Sequence, residues 1–175
     1  AQAAAGMAGG QVQRHLGARA GGVQVPAQHA HGHVAELADQ QQPLRVWLKL
    51  DSGMHRLGFS PTEVRTWHAR LRGAAQVAEL NLLSHFACAD ERGHPLSEEQ
   101  VAVFLELLDL DFDQRSLANS AALLTIPAAH MDWQRPGIML YGATPFADLS
   151  AQELGLRPAM SLTAQVIAVH EVAAG

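Results

Sequence analysis

From Leu44 onward, short apolar runs alternate with helix-start signals, and this alternation limits the available folds more than any other feature. The run LRVWLKL (44–50) is β-prone and ends at an Asp51-Ser52-Gly53 turn. Ser60-Pro61-Thr62-Glu63 follows: Ser suits an N-cap, Pro the first helical position, and Glu three residues on closes a capping box. That spacing predicts a helix through Val64, Trp67 and Leu71, ending near Gly73. VAELNLLSHFA (77–87) reads as a second buried strand. Ser97 and Gln100 read as another capping box before Val101, Phe104, Leu105 and Leu108 at helical spacing. RSLANSAALL reads as a short strand turning into a helix start, and RPGIMLYG as a Pro-Gly turn followed by an apolar run. Ser150 and Glu153 form a third, weaker cap. The segment 159–172, AMSLTAQVIAVHEV, alternates like a strand with one wet face.

Strand, helix, strand, helix in succession predicts βα units and a parallel sheet. A complete barrel of such units takes about 250 residues, so a 175-residue chain has room for part of one. The expected fold class is α/β, a partial TIM-like (β/α) barrel with the first strand of a C-terminal β domain. The expected division is a low-complexity, poorly packed segment over 1–42, the barrel part over 43–158 and the start of the β domain over 159–175.

Residues 1–42 are rich in Ala, Gly, Gln and His; within them only HVAELADQ has the pattern of a short amphipathic helix. His29, His31 and His33 would point the same way in an extended chain, but no Cys or carboxylate completes a metal site, and a polar biased tail is the favoured reading. The first ten residues show no basic region followed by an apolar run, and position 1 is not Met, which points to a piece of a longer chain without a secretory signal. A net charge of −5 argues against nucleic acid or an anionic membrane surface as the main partner. The lone Cys88 excludes a disulfide framework and suits a reducing, cytoplasmic setting.

In parallel α/β folds chemistry gathers where strands end and helices begin. The sequence places Lys49 and Arg56 after the first strand, His85 after the second, Asn119 and Ser120 after the third, and Arg135, Gly137 and Ile138 at the fourth turn. Cations, a hydroxyl at a helix start and a Gly turn suit a phosphate-bearing cofactor. Each residue also has an ordinary reading. Arg56 and Arg135 read as surface cations, His85 as a satisfied core histidine, Asn119 and Ser120 as a helix cap, and Lys49 as a buried amine in need of a partner.

Together, LKLDSGMHRLGF, SHFACADE, ANSAA and RPGIMLYG resemble the consecutive signature blocks of bacterial alanine racemases, in the same order. GLRPAMSLTAQVIAV resembles the segment leading from that family's barrel into its β-rich domain, so the resemblance covers about residues 44–175. It implies a fold-type III enzyme, dimeric when intact, that uses pyridoxal 5'-phosphate (PLP) to interconvert L-alanine and D-alanine for peptidoglycan. It implies that Ser120 and the backbone amides of Gly137 and Ile138 hold the cofactor phosphate, that Asn119, at the cofactor site beside Ser120, fixes the loop, and that Arg135 faces the pyridine nitrogen. His85 would support Arg135, Arg56 would meet the phenolic oxygen and the substrate carboxylate, and Lys49 would match a lysine that the family often carbamylates. The family's Schiff-base lysine block is absent, and its catalytic tyrosine would lie beyond Gly175. The chain alone is therefore expected to have little or no racemase activity. Two alternatives stay open: a non-catalytic PLP- or phosphate-binding remnant, and a racemase of broader amino-acid specificity.

Overall fold

The computed structural model describes the backbone of residues 22–24 and all of residues 42–173. The expected helix at HVAELADQ and the three histidines of the N-terminal segment lie outside the described residues.

Four parallel strands stand side by side in chain order: β1 (Gly22–Gln24), β2 (Leu44–Lys49), β3 (Val77–Leu83) and β4 (Arg115–Ser116). Residues 22–24 carry no strand signal in the sequence. They become β1 by pairing with β2, Val23 opposite Val46. An isolated parallel bridge from Ser116 to Trp133 continues the sheet's direction past β4. Consecutive parallel neighbours require crossovers, and helices supply those from β2 to β3 and from β3 to β4.

The two faces of β2 differ because side chains alternate along a strand. Val46, Leu48 and Leu50 enter the core with Leu80 and Leu82 of β3, whereas Arg45 lies on the other face, ion-paired at 2.9 Å with its register partner Glu79. Helix α1 (Pro61–Arg72) buries Val64, Trp67 and Leu71 against that core. Its expected capping box is present: the Glu63 amide donates to Ser60 Oγ at 3.4 Å and the Ser60 amide to Glu63 Oε2 at 2.9 Å. Gly73 caps the other end, as expected.

Helix α2 (Pro95–Leu105) departs from the sequence reading. The box at Ser97 and Gln100 does not form. His94 is the N-cap, its Nδ1 accepting from the Leu96 amide at 3.2 Å, and both Ser97 and Gln100 are buried. Beyond the helix, the Leu107 amide donates to the Phe104 carbonyl at 3.2 Å, a tighter i→i+3 bond. That tightening brings Leu107 into the core, while Leu105 and Leu108, expected there, are exposed.

Helix α3 (Ser120–Thr125) starts at the Asn119 cap after β4, and RPGIMLYG forms the 3-10 turn Ile138–Tyr141. The Ser150–Glu153 hydrogen bonds are present over a turn that does not extend into a helix. The expected strand in 159–173 does not form: Leu162 and Ile167 are 96% and 98% exposed. Alternation is a burial signal, but a strand also needs a hydrogen-bonding neighbour along its length, and the backbone bond here runs from the Ala159 amide to the Tyr141 carbonyl at 3.2 Å, at the segment's first residue. No helix among the described residues is long and apolar enough to cross a membrane.

Candidate functional site

Every residue singled out at a strand end lies along one edge of the sheet. Lys49 is the last residue of β2, in register with Leu83, the last of β3. Ser84 and His85 follow directly, and Ser116 closes β4 before Asn119 and Ser120 open α3. Chain segment 133–135 runs beside β4, with the Trp133 amide donating to Arg115 and the Arg135 amide to Ala118, at 3.0 and 2.9 Å.

The Arg135 guanidinium clasps the ends of two strands. It donates to Ser116 Oγ and to the Ser84 carbonyl, and at 3.4 Å to the Leu117 carbonyl. Burial lowers its pKa, and no carboxylate is among its hydrogen-bond partners. An arginine so held stays charged and planar.

Lys49 is 7% exposed. Burial is the main force lowering its pKa, followed by repulsion from Arg135 and then Arg56, against a weaker opposing pull from Asp51. Asp51 is already engaged by the amides of Gly53 and His55 and by the His55 ring, at 3.1, 2.9 and 3.2 Å. His85 titrates at about 4, held down by burial and then by Arg135, Lys49 and Arg56. Its imidazole is therefore neutral at pH 7.

Arg56 reaches this cluster through a loop that doubles back on β2. The Phe59 amide donates to the Lys49 carbonyl and the Asp51 amide to the Phe59 carbonyl, each at 2.8 Å. Gly58 makes the return possible. Its φ is +127°, and a Cβ there would stand 2.6 Å from the Asp51 nitrogen.

Ser120 and the Pro-Gly turn meet directly. Ser120 Oγ accepts from the Gly137 amide at 2.8 Å and lies 3.5 Å from the Met139 nitrogen, leaving the hydroxyl proton free to donate. Ile138 is half-exposed at the start of the turn. Asn119 spends its side-chain oxygen on the helix cap, accepting from Ala122 at 2.9 Å.

Beneath the site lies a buried polar network that the sequence reading missed. Ser84 Oγ lies 2.7 Å from Ser52 Oγ and 2.9 Å from the Leu50 carbonyl. The Gln100 amide group donates to Ser52 Oγ and the His85 carbonyl and accepts from the Ala87 amide, at 3.2, 3.0 and 2.9 Å. Gln100 thus fixes the loop carrying His85 from fifteen positions away, a distance over which no local pattern operates.

Three cations, a neutral imidazole and a hydroxyl with a free proton therefore gather at one edge, with one nearby carboxylate already engaged. This donor set fits a ligand with a phosphate dianion and a second anionic oxygen. Among the described residues no cluster suits a metal ion.

The model of the family described as "Alanine racemase, N-terminal domain" matches residues 23–145, starting upstream of the motifs that carry the resemblance. The biosynthetic alanine racemase of Pseudomonas aeruginosa is 77% identical over 133 residues, 76% of this chain and 37% of that protein. The alanine racemase of Stutzerimonas stutzeri is 69% identical over 138 residues, 79% of this chain and 38% of that protein. The crystal structure of the Pseudomonas aeruginosa biosynthetic enzyme superposes with a TM-score of 0.79 at 68% identity, covering 87% of this chain and 42% of that one. The chain thus spans about two-fifths of the length of these relatives.

Proposed function

The chain belongs to the alanine racemase N-terminal domain family, and from that premise we propose that its sheet edge is the phosphate- and carboxylate-gripping part of a PLP-dependent alanine racemase. The observation that carries this reading is the Ser120–Gly137 contact beside Arg135, at the edge where the cations Arg135, Lys49 and Arg56 gather and hold His85 neutral. The substrate on this reading is L- or D-alanine, the working form is a homodimer and the setting is cytoplasmic. Residues 43–158 form the barrel part and 159–175 lead into a β-rich domain.

When bound, PLP supplies an electron sink for the pair left behind as the α-proton departs. The chain's own residues bind and orient. Ser120 would donate its hydroxyl proton to a phosphate oxygen, and the amides of Gly137 and Ile138 line the same turn. Asn119 holds the helix start that positions Ser120. Arg135, fixed by Ser116 and the Ser84 carbonyl, would offer the pyridine nitrogen a hydrogen bond without giving up its proton, which would restrain the ring's electron uptake. His85, neutral and fixed through Gln100, sits against Arg135 without adding charge. Arg56 offers its cation to the phenolic oxygen and the substrate carboxylate.

The 175-residue chain has one lysine, Lys49, and one tyrosine, Tyr141. That scarcity of proton-moving groups favours a second reading for the chain acting alone: it binds the cofactor without turning over alanine. Equilibrium dialysis against PLP, with inorganic phosphate as competitor, tests the binding claim. Saturable, phosphate-sensitive uptake is expected; uptake that rises linearly without saturating rejects the site. A D-alanine assay on the same sample distinguishes the two readings.

A further inference from the structure

The loop from β3 to α2, the first turns of α2 and the chain at the end of α3 enclose a cavity of about 430 Å3, within the range of small-molecule sites. None of Lys49, Arg56, His85, Ser120 and Arg135 lines it. Val101 and Ile126 give it an apolar side, and Glu91, His94, Ser97 and Glu98 a polar one.

The charges around this cavity do not balance. Arg92, also in its wall, is spent on Asp148 and lies over the Phe146 ring at 5.9 Å. His94 uses Nδ1 to accept from the Leu96 amide at 3.2 Å as the cap of α2, and its Nε2 stands 4.0 Å from Glu91. Glu98 has no ion-pair partner among the described residues. An acidic side chain in a first helical turn has an ordinary use, opposite the amide end of the helix dipole. Ser97 has no such reading. It is 6% exposed, and its Oγ has no hydrogen-bond partner among the described residues. A hydroxyl taken out of water with nothing to bond opposes folding, and a guest seated against Ser97 would relieve that cost. On the α3 side, Thr125 donates its hydroxyl proton to the Ala121 carbonyl at 3.0 Å, which leaves its oxygen an acceptor.

Two carboxylates, two hydroxyl oxygens and an apolar side match an ammonium group on a short aliphatic body. An amino acid would bring its own carboxylate beside Glu91 and Glu98, so the fit is to a simple amine. We propose that this cavity binds a small primary alkylammonium ion, its N–H groups shared among Glu91, Glu98 and Ser97 and its carbon chain against Val101 and Ile126.

The test titrates the full chain with n-butylammonium chloride at pH 7 by calorimetry. Saturable binding at one site, with a Kd of about 1 mM or below, is expected. Butyrate and n-butanol keep the carbon chain and lose the cation, and should bind about tenfold more weakly or worse. Glu98→Gln should weaken the amine about fivefold. Glu99→Gln makes the same charge change at an exposed neighbour outside the cavity and should leave the affinity unchanged. Ser97→Ala should weaken binding about threefold or more. Because it removes an unpaired hydroxyl, it should not lower the urea midpoint of the ligand-free chain. Absence of saturable binding, butanol binding as well as the amine, or equal effects of the two Glu variants overturns the proposal. So does a lower midpoint for Ser97→Ala, which would show that the hydroxyl already has a partner within the fold. None of these readouts involves PLP, so the cofactor reading stands or falls separately.

Discussion

Gly58 shows how much of the site turns on a residue with no functional group. The chain must return onto β2 for Phe59 to bond the Lys49 carbonyl, and a Cβ at Gly58 would stand 2.6 Å from the Asp51 nitrogen and 2.8 Å from the Leu50 carbonyl carbon. Backbone atoms cannot step aside as a flexible side chain does. Gly58→Ala should therefore cost about 2 kcal/mol or more, read as a lower urea midpoint. It should also weaken PLP uptake by displacing Arg56; an unchanged midpoint would show that the loop is not under this constraint. Lys49 makes the opposite case. A buried ammonium repelled by Arg135 and Arg56 opposes folding, so Lys49→Met should stabilise the ligand-free chain by about 1 kcal/mol. Because the folded pKa lies below 10.5, this gain is present at neutral pH and shrinks as the pH rises and the amine loses its charge in both states. Urea midpoints at pH 7 and near pH 10 check both parts, and a lower midpoint for the variant at pH 7 would contradict the repulsion.

At the level of elements, what the sequence reveals depends on how far apart the interacting groups lie. Ser60 and Glu63 are three residues apart, so the start of α1 is legible, and so is its end at Gly73. Val46, Leu48 and Leu50 carry the period of a half-buried strand in seven letters. Ser97 and Gln100 have the same local spacing as a capping box, yet His94 takes the cap and Gln100 turns inward to the loops of β2 and β3. Two chemically reasonable uses existed for the same residues, and tertiary burial chose between them. β1 is three residues long and owes its existence to β2. The 159–173 segment shows the converse, strand patterning without a strand. Arg135 was legible through its motif, but its grip on Ser116 and Ser84 comes only from folding. Gln100→Leu tests the network directly. It keeps the volume but leaves the buried Ala87 amide and His85 carbonyl without their partner, which should cost about 2–3 kcal/mol. Faster hydrogen exchange at the Ala87 amide should accompany the loss. A stability within error of the parent would mean that water replaces the side chain.

For the whole molecule, the concentration of positive charge at one edge makes stability depend on pH and on anions, although the net charge is −5. His85 is the group whose titration reports it. Its pKa is about 4 in the folded chain against an ordinary 6.5. Above pH 6.5 the imidazole is neutral in both states and contributes no pH dependence. As the pH falls from 6.5 towards 4, the unfolded chain takes up a proton that the native chain refuses, so stability drops, by about 3 kcal/mol at most and less where solvent screens the half-buried ring. Below pH 4 the loss is complete. An anion held between Arg135, Lys49 and Arg56 would screen the repulsion and raise the folded pKa, so the loss should be smaller with saturating PLP than without it. Urea midpoints at pH 7, 6, 5 and 4.5 should therefore fall more steeply for the free chain than for the loaded one. His85→Gln, which cannot take the proton, should flatten the free chain's profile toward the background set by its carboxylates. If that variant loses stability along the same curve as the parent, the pH dependence does not originate in the cation cluster, and the electrostatic case for an anion site at this edge fails with it.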